Sequence, residues 1–351
     1  LSQFERRKAY RHLEAGLQRD IKEFFGDYRA ARSAGFALLM QIADVEAIEQ
    51  ACRSAAERGL GWLEVADASP AAVAAGAPLP RVAAVAAGAP LLQGAGKSLQ
   101  LHVSLVEQLP PLLRVYVGCA AVLYGDYRHA DLVKIHIGSG KVSLMRYDDF
   151  EGQALPRMVE RVKIKLREPD IDYFASGGGY EPPFLFCKSR FINEEFANYP
   201  EQVAFDEALE GLGLFDFSGY GPPPGEMLGT LARHRLAVDG FELVRARTIP
   251  DLDEPCGEYL TFRQLIACGE TQARTGLANL PKRPESYNAL HDLAVQVLDP
   301  VIDYFGMVRL TYGFCSPALA KEIPGRIDPK RDQHAAHELN RRGNSVCERL
   351  G

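Results

Sequence analysis

Near the end of the 351-residue sequence two histidines stand three positions apart, His334 and His337, in "DPKRDQHAAHELNRRG". Residues three apart on a helix share a face, so both imidazoles could approach one ion. A catalytic zinc needs three protein ligands and an open position for water. The glutamate follows the second histidine, so neither H-E-x-x-H nor H-x-x-E-H is present, and two surface histidines satisfy the same pattern. Upstream, "RVKIKLR" alternates Arg161, Lys163, Lys165 and Arg167 with Val162, Ile164 and Leu166. Side chains alternate faces along a strand. The spacing therefore predicts four cations on one side, a row that could meet a phosphate backbone; the solvated outer face of an edge strand accounts for the same row. "YDDFE" sets Asp148, Asp149 and Glu151 close together, as carboxylates that hold a divalent ion or that cap a turn. "LLQGAGKSLQ" (91–100) carries a Gly-Lys-Ser, but Leu91 occupies the place of the leading glycine of a phosphate-binding loop, and Pro90 interrupts the strand that should precede it. A flexible loop is the expectation there. No G-x-G-x-x-G follows a strand, so no dinucleotide or methyl-donor site of that type is visible.

The chain as a whole bounds these chemistries. A net charge of −6 excludes a whole-surface electrostatic grip on DNA and leaves only a local basic patch. The 47% hydrophobic and 25% charged fractions are those of a soluble globular protein. No run of 18 apolar residues exists to span a membrane. The opening "LSQFERRKAYRHLEAGLQRD" lacks the apolar core of a signal peptide and an initiator Met, so a piece of a longer protein is expected. Seven scattered cysteines without a C-x-x-C pair predict isolated thiols and a cytoplasmic setting.

The elements that must position these groups follow from periodicity. Leu17, Ile21, Phe24 and Phe25 fall at helical spacing, and Asp44 and Gly59 suit the start and stop of a further helix. Residues 67–96, rich in Ala, Gly and Pro, predict a loop or weak helix. "LPPLLRVYVGCAAVLYGD" (109–126) predicts a buried helix with Pro110 and Pro111 in its first turn and Gly125 at its end, leaving Arg114 and Tyr116 in need of polar partners. Strands are expected over 131–137, 141–150, 160–168 and 171–176, with "GSG" (138–140) as a hairpin turn. A helix is expected over 201–214. "FSGYGPPPGEMLGT" (217–230) breaks the composition and predicts a linker, and 240–249 is strand-like. "TFRQLIACGETQARTG" and "YNALHDLAVQVLDPVIDYFG" predict two helices, and 307–314 a strand.

Two resemblances add to this reading. Residues 259–334, with "TFRQL", "NLP", "VLDPV" and "VRLTYGFCSPAL" in that order, resemble the D-alanyl-D-alanine carboxypeptidase type of zinc peptidase, of hedgehog-like fold. The resemblance implies that His334 is the first zinc ligand, with His337 as the alternative. It also implies that the second ligand, an aspartate, and the third, a histidine, are not among these residues. Cys315 stands where that family has an arginine, and Asp332 where it has a serine. Residues 12–215, with "LQRDIKEFFGDYRAA", "ADLVKIHIGSGKVSLMRYDDFE" and "FLFCKSRFI", resemble the region that follows the methyltransferase core in DNA phosphorothioation-associated methyltransferases. Those bacterial proteins accompany the system that replaces a non-bridging phosphate oxygen of DNA with sulfur. S-adenosylmethionine enters only through that core, which these residues do not contain.

The expected architecture is α+β. It comprises a helix-rich module with a small antiparallel β-meander over 1–218, a linker with a strand-like segment over 219–254, and an incomplete hedgehog or DD-peptidase-like α+β domain over 255–351. The expected function is that of an accessory protein of bacterial DNA phosphorothioate modification or its linked defence, contacting DNA or other proteins of that system. Arg161, Lys163, Lys165 and Arg167 are the candidate nucleic-acid contacts. The alternative is a zinc-dependent peptidase with His334 or His337 as a ligand. No catalytic residue is assigned, and no membrane partner is expected.

Overall fold

The computed structural model describes residues 9–64, 97–175, 181–217, 221–267, 269–323 and 333–346. The chain divides into two units, residues 1–207 with 217–221, and residues 208–216 with 222–351. No helix among the described residues is long and apolar enough to cross a membrane. Both units mix helices with antiparallel strands, which makes the protein α+β.

The first unit opens with α1 (Ala15–Phe25), α2 (Tyr28–Gln41) and α3 (Val45–Glu57). Gly26 ends α1 at φ 77°, and the Asp27 carboxylate then starts α2 by accepting from the Ala30 N–H at 2.7 Å. Asp44 caps α3 in the same way, through the N–H groups of Glu46 and Ala47. Six strands follow: β1 (Trp62–Glu64), β2 (Ser98–His102), β3 (Leu132–His136), β4 (Lys141–Tyr147), β5 (Met158–Lys165) and β6 (Asp170–Ala175). The helix α4 (Pro111–Tyr124) lies between β2 and β3 in sequence, begins on a proline as expected and stops at Gly125. The strands pair consecutively and antiparallel into one sheet, with β1 and β6 at its edges.

One face of this sheet is core. Leu99, Leu101, Val133, Ile135, Val142, Leu144, Val162 and Ile164 are all nearly solvent-free, and they pack with Ile48, Cys52 and Ala55 of α3 and Leu113, Tyr116, Val117 and Ala120 of α4. Each such side chain contributes about 1.5–3 kcal/mol when fully buried. Arg114, on the opposite side of α4, faces solvent. Among the described residues, the other face of the sheet is covered at one end only. There Leu132, Met145, Tyr147 and Met158 meet Phe150, Leu185, Phe191 and Ile192. The covering segment is held down by Lys188, which has no exposed surface. Its ammonium donates to the carbonyls of Phe150 at 2.7 Å and Gln153 at 2.5 Å, and lies 5.1 Å from the Phe150 ring centroid. Burial lowers its pKa to about 8, against the pull of Asp206 and other nearby carboxylates. The helix α5 (Tyr199–Gly211) follows.

Three expectations change here. The segment after Pro90 is not wholly a loop, because Ser98–His102 is a strand whose Leu99 and Leu101 alternate into the core. Residues 67–96 lie outside the described residues. The strand β5 is not at an edge, being paired with both β4 and β6. It also ends at Lys165, where Asp170 already stands opposite on β6, so Arg167 belongs to the turn between them.

In the second unit the stretch expected as a linker, 219–254, holds α6 (Pro224–Arg233) and a hairpin of β7 (Leu236–Asp239) and β8 (Glu242–Arg245). Pro224 sits at the first helical position, where its missing N–H costs nothing, so the proline run starts a helix. The hairpin β9 (Pro255–Cys256) and β10 (Leu260–Thr261) leads into α7 (Phe262–Ile266), which opens with a Thr261–Gln264 capping box. Then come α8 (Glu270–Thr275), α9 (Pro284–Leu293), α10 (Asp299–Phe305) and α11 (Pro317–Glu322). A π-helical turn, Ala294–Leu298, joins α9 to α10 just before Pro300, whose lack of an N–H breaks the regular ladder. Arg235 and Arg245 tie the β7–β8 hairpin to Asn288 and Asp292 of α9. Residues 307–314 form no strand; at their end the Phe314 N–H donates to the Leu265 carbonyl.

Replacing Lys188 with Met removes the donor to the buried Phe150 carbonyl and the partly buried Gln153 carbonyl. The expected cost is about 2–4 kcal/mol in urea unfolding, whereas Lys22→Met on the exposed side of α1 changes stability by less than about 0.5 kcal/mol.

Candidate functional site

The end of the sheet that no other described residue covers carries a grid of polar side chains fixed by strand register. In one row across the strands stand Glu64, Ser98, His136, Lys141, Lys165 and Asp170. The next row runs Trp62, Gln100, Lys134, Ser143, Lys163 and Asp172, and Arg161 faces Phe174 in the one after. These residues alternate with the buried aliphatic set, so the packing of the helices on the far face turns every one of them outward.

Some of these charges neutralise each other. Glu64 accepts from Ser98 Oγ at 2.7 Å and from Lys134 Nζ at 2.9 Å. Lys165 donates to Asp170 at 2.8 Å and Asp172 at 3.0 Å, bonds that raise its pKa. The centre of the grid is different. Ser143 Oγ and His136 Nε2 lie 2.9 Å apart, and Ser143 is 2% exposed. Among the described residues no carboxylate forms an ion pair with Lys141 or Lys163. Burial, then Arg161 and Lys141, lower the pKa of Lys163. Burial, then Lys134, Lys163 and Lys141, drive His136 down to about 4. The centre is thus a half-buried spot of net positive potential that Asp172 and Glu64 offset only in part, with a serine hydroxyl and a neutral imidazole as hydrogen-bonding groups. Arg161 lies 4.7 Å and Lys163 5.6 Å from the ring centroid of Phe174, which is 37% exposed. The arrangement suits an anion with an aromatic or planar neighbour.

Of the four cations predicted from "RVKIKLR", the sheet brings Arg161, Lys163 and Lys165 to one face. Arg167 stands apart, in the turn after β5, with its stem across Gly140: a Cβ there would lie 2.7 Å from Arg167 Cγ. Two of the carboxylates of "YDDFE", Asp148 and Asp149, bind backbone N–H groups in and beside their own turn. Asp148 accepts from the N–H groups of Asp149 and Arg157, and Asp149 from that of Gly152. From the Gly-Lys-Ser stretch, Lys97 pairs with Glu49 at 3.2 Å and Ser98 binds Glu64; residues 91–96 lie outside the described residues.

His334 and His337 do not share a helix face. Gln333–Ala335 is a single 3-10 turn, and Ala336 breaks it at φ 45°. Their backbone carbonyls tie the segment to the rest of the unit: the His334 carbonyl accepts from Cys315 N–H at 2.9 Å, and the His337 carbonyl from Arg283 at 3.2 Å. Glu338, after the pair, is buried and accepts from the Lys282 and Arg283 N–H groups and from Ser286. Among the described residues no three His, Cys, Asp or Glu side chains gather at metal-binding distance. Cys315 is 2% exposed, and Asp332 lies outside the described residues.

Lys134, His136, Lys141 and Ser143 carry the site and were not picked out from the sequence. The signal was present: in "LVKIH" and "KVSLM" polar residues alternate with Val133, Ile135, Val142 and Leu144, as they do in "RVKIK". Comparison with protein-family models, with curated proteins and with solved structures finds no match to this chain.

The depressed His136 pKa makes a signed prediction. In the folded protein His136 stays neutral down to about pH 4, whereas in the unfolded chain it takes up a proton near 6.5. Its contribution is therefore complete above pH 6.5 and is lost as pH falls towards 4. Each pKa unit corresponds to about 1.4 kcal/mol. Wild type should thus lose on the order of 2–3 kcal/mol more than His136→Gln over that window, as read by urea unfolding at each pH.

Proposed function

We propose that the first unit binds DNA by laying the open face of its sheet against the phosphate backbone, and that the chain acts as an accessory of DNA phosphorothioate modification or the defence linked to it. The observation that carries the binding reading is the crowding of Lys134, Lys141 and Lys163 around the His136–Ser143 pair. Like charges held this close on a folded surface cost stability, and a phosphate group at their centre relieves that cost. The outward face sets five cations against three carboxylates in a chain of net charge −6, which is the local patch that nucleic-acid binding by an acidic protein requires. Phe174 beside Arg161 adds an aromatic surface at the sheet edge. The link to phosphorothioation rests on the resemblance of residues 12–215, and cooperation with other proteins of that system rests on the same ground.

The zinc-peptidase alternative, and a hedgehog-like architecture for the second unit, rest on the resemblance of residues 259–334 alone. No geometry among the described residues of that unit favours a metal site.

The test is fluorescence anisotropy with a labelled DNA duplex over a salt series. The combined variant Lys141→Ser, Arg161→Ser, Lys163→Ser should bind at least about tenfold more weakly. The slope of log affinity against log salt should fall by about 2–3, because each phosphate contact contributes roughly 0.9. Arg167→Ser should leave both unchanged. Equal affinity and slope in wild type and the combined variant would refute the reading.

A further inference from the structure

A second site lies in the same unit on the helix side of the sheet. A cavity of about 290 Å³ opens where the α2–α3 junction, α4 and the β3–β4 turn converge. Ile42, Val45, Ile48 and Leu166 give it an apolar wall, and two polar residues, Tyr116 and Arg167, also line it. Val45, in the first turn of α3, is 38% exposed here, although its neighbour Ile48 is core. Gly138 and Gly140 hold the β3–β4 turn at positive φ, and Gly140 leaves room for the Arg167 stem to cross it. The turn is therefore shaped to bring a cation to an apolar hollow. Among the described residues neither Arg167 nor the Tyr116 hydroxyl has a side-chain hydrogen bond or ion pair. Burial pushes the Tyr116 pKa up to about 12, with Arg167 opposing the shift, so the hydroxyl remains a donor at neutral pH.

We propose that this cavity binds a small amphipathic anion, a carboxylate or phosphate monoester on an apolar body, with its head group on Arg167 and Tyr116 and its body against Ile42, Val45, Ile48 and Leu166. Arginine presents a fork of N–H groups that matches either head group. A dry apolar cavity of about 150 Å³ accommodates benzene, so one of this volume takes a body and head of roughly a dozen heavy atoms. Saturated chains of eight to ten carbons are of that size. The site is separate from the sheet face and does not depend on DNA binding. It also accounts for Arg167, which the strand alternation had grouped with the DNA contacts.

The test is isothermal titration calorimetry of the whole chain with decanoate, octyl phosphate and 1-octanol. One equivalent of at least one anion should bind, and the stronger of the two identifies the head group. Arg167→Met should weaken the anion by about tenfold or more, the worth of a lost charge-assisted contact, and leave octanol unchanged. Ala43→Phe, at the exposed rim of the cavity, should block the anion and octanol alike, with an unaltered circular dichroism spectrum as the control for folding. If Ala43→Phe fails to fold, Arg167→Met at its exposed turn position decides alone. Absence of binding by both anions, or binding that Arg167→Met leaves unchanged, would overturn the proposal.

Discussion

A strand gives successive side chains to opposite faces, and in this protein that rule separates two kinds of surface. Leu99, Leu101, Val133, Ile135, Val142, Leu144, Val162 and Ile164 must meet α3 and α4 to leave water. Their neighbours must then face away. Because all six strands pair consecutively, the outward residues fall into rows across the sheet, and groups distant in sequence come together: Glu64 with Lys134, His136 with Ser143, Lys163 with Asp172. A slip of one residue in any strand would put cations into the core and aliphatic groups into water, so the buried face fixes the register of the charged one.

The charged face is under strain that the core resists. Lys141 stands directly opposite Lys165, and Ser143 stands between Lys134 on one neighbouring strand and Lys163 on the other. Cross-strand like charges destabilise a sheet by tenths of a kcal/mol to about 1 kcal/mol each. Asp170 and Asp172 relieve Lys165, and Glu64 relieves Lys134, but the centre keeps its excess. At the other end of the same face the solution is different. The segment anchored by Lys188 covers Leu132, Met145 and Tyr147, and the buried ammonium is satisfied by backbone carbonyls. Among the described residues, one face thus has a closed apolar end and an open cationic end.

Much of the first unit was legible in the sequence because its signals are local. The Asp44 cap, the Pro111 start and Gly125 stop of α4, and the period-two alternation of β3 to β6 all act within a few residues. The edge strand β1 is three residues long, and β2 follows an Ala-, Gly- and Pro-rich run with a Gly-Lys-Ser that competes for attention; neither carries a pattern long enough to count. Arg167 has the right parity for the cationic row, but the turn from β5 to β6 begins before it, and strand ends are set by pairing rather than by alternation. In the second unit the proline run at 222–224 has the composition of a linker and the geometry of a helix start, which only the packing of Arg235 and Arg245 on α9 distinguishes. The candidate site was half legible for the same reason: one strand showed its cations, but the grouping across strands depends on a register that no single segment contains.

The central claim is that the cations at the middle of the sheet meet DNA phosphates directly. Lysine-selective acetylation followed by mass spectrometry, with and without a saturating DNA duplex, tests this residue by residue. The account predicts that Lys141 and Lys163 lose reactivity when DNA is present, while exposed Lys22 on α1 reacts at an unchanged rate. Unchanged reactivity at Lys141 and Lys163 with DNA bound, or equal protection of Lys22, would contradict it.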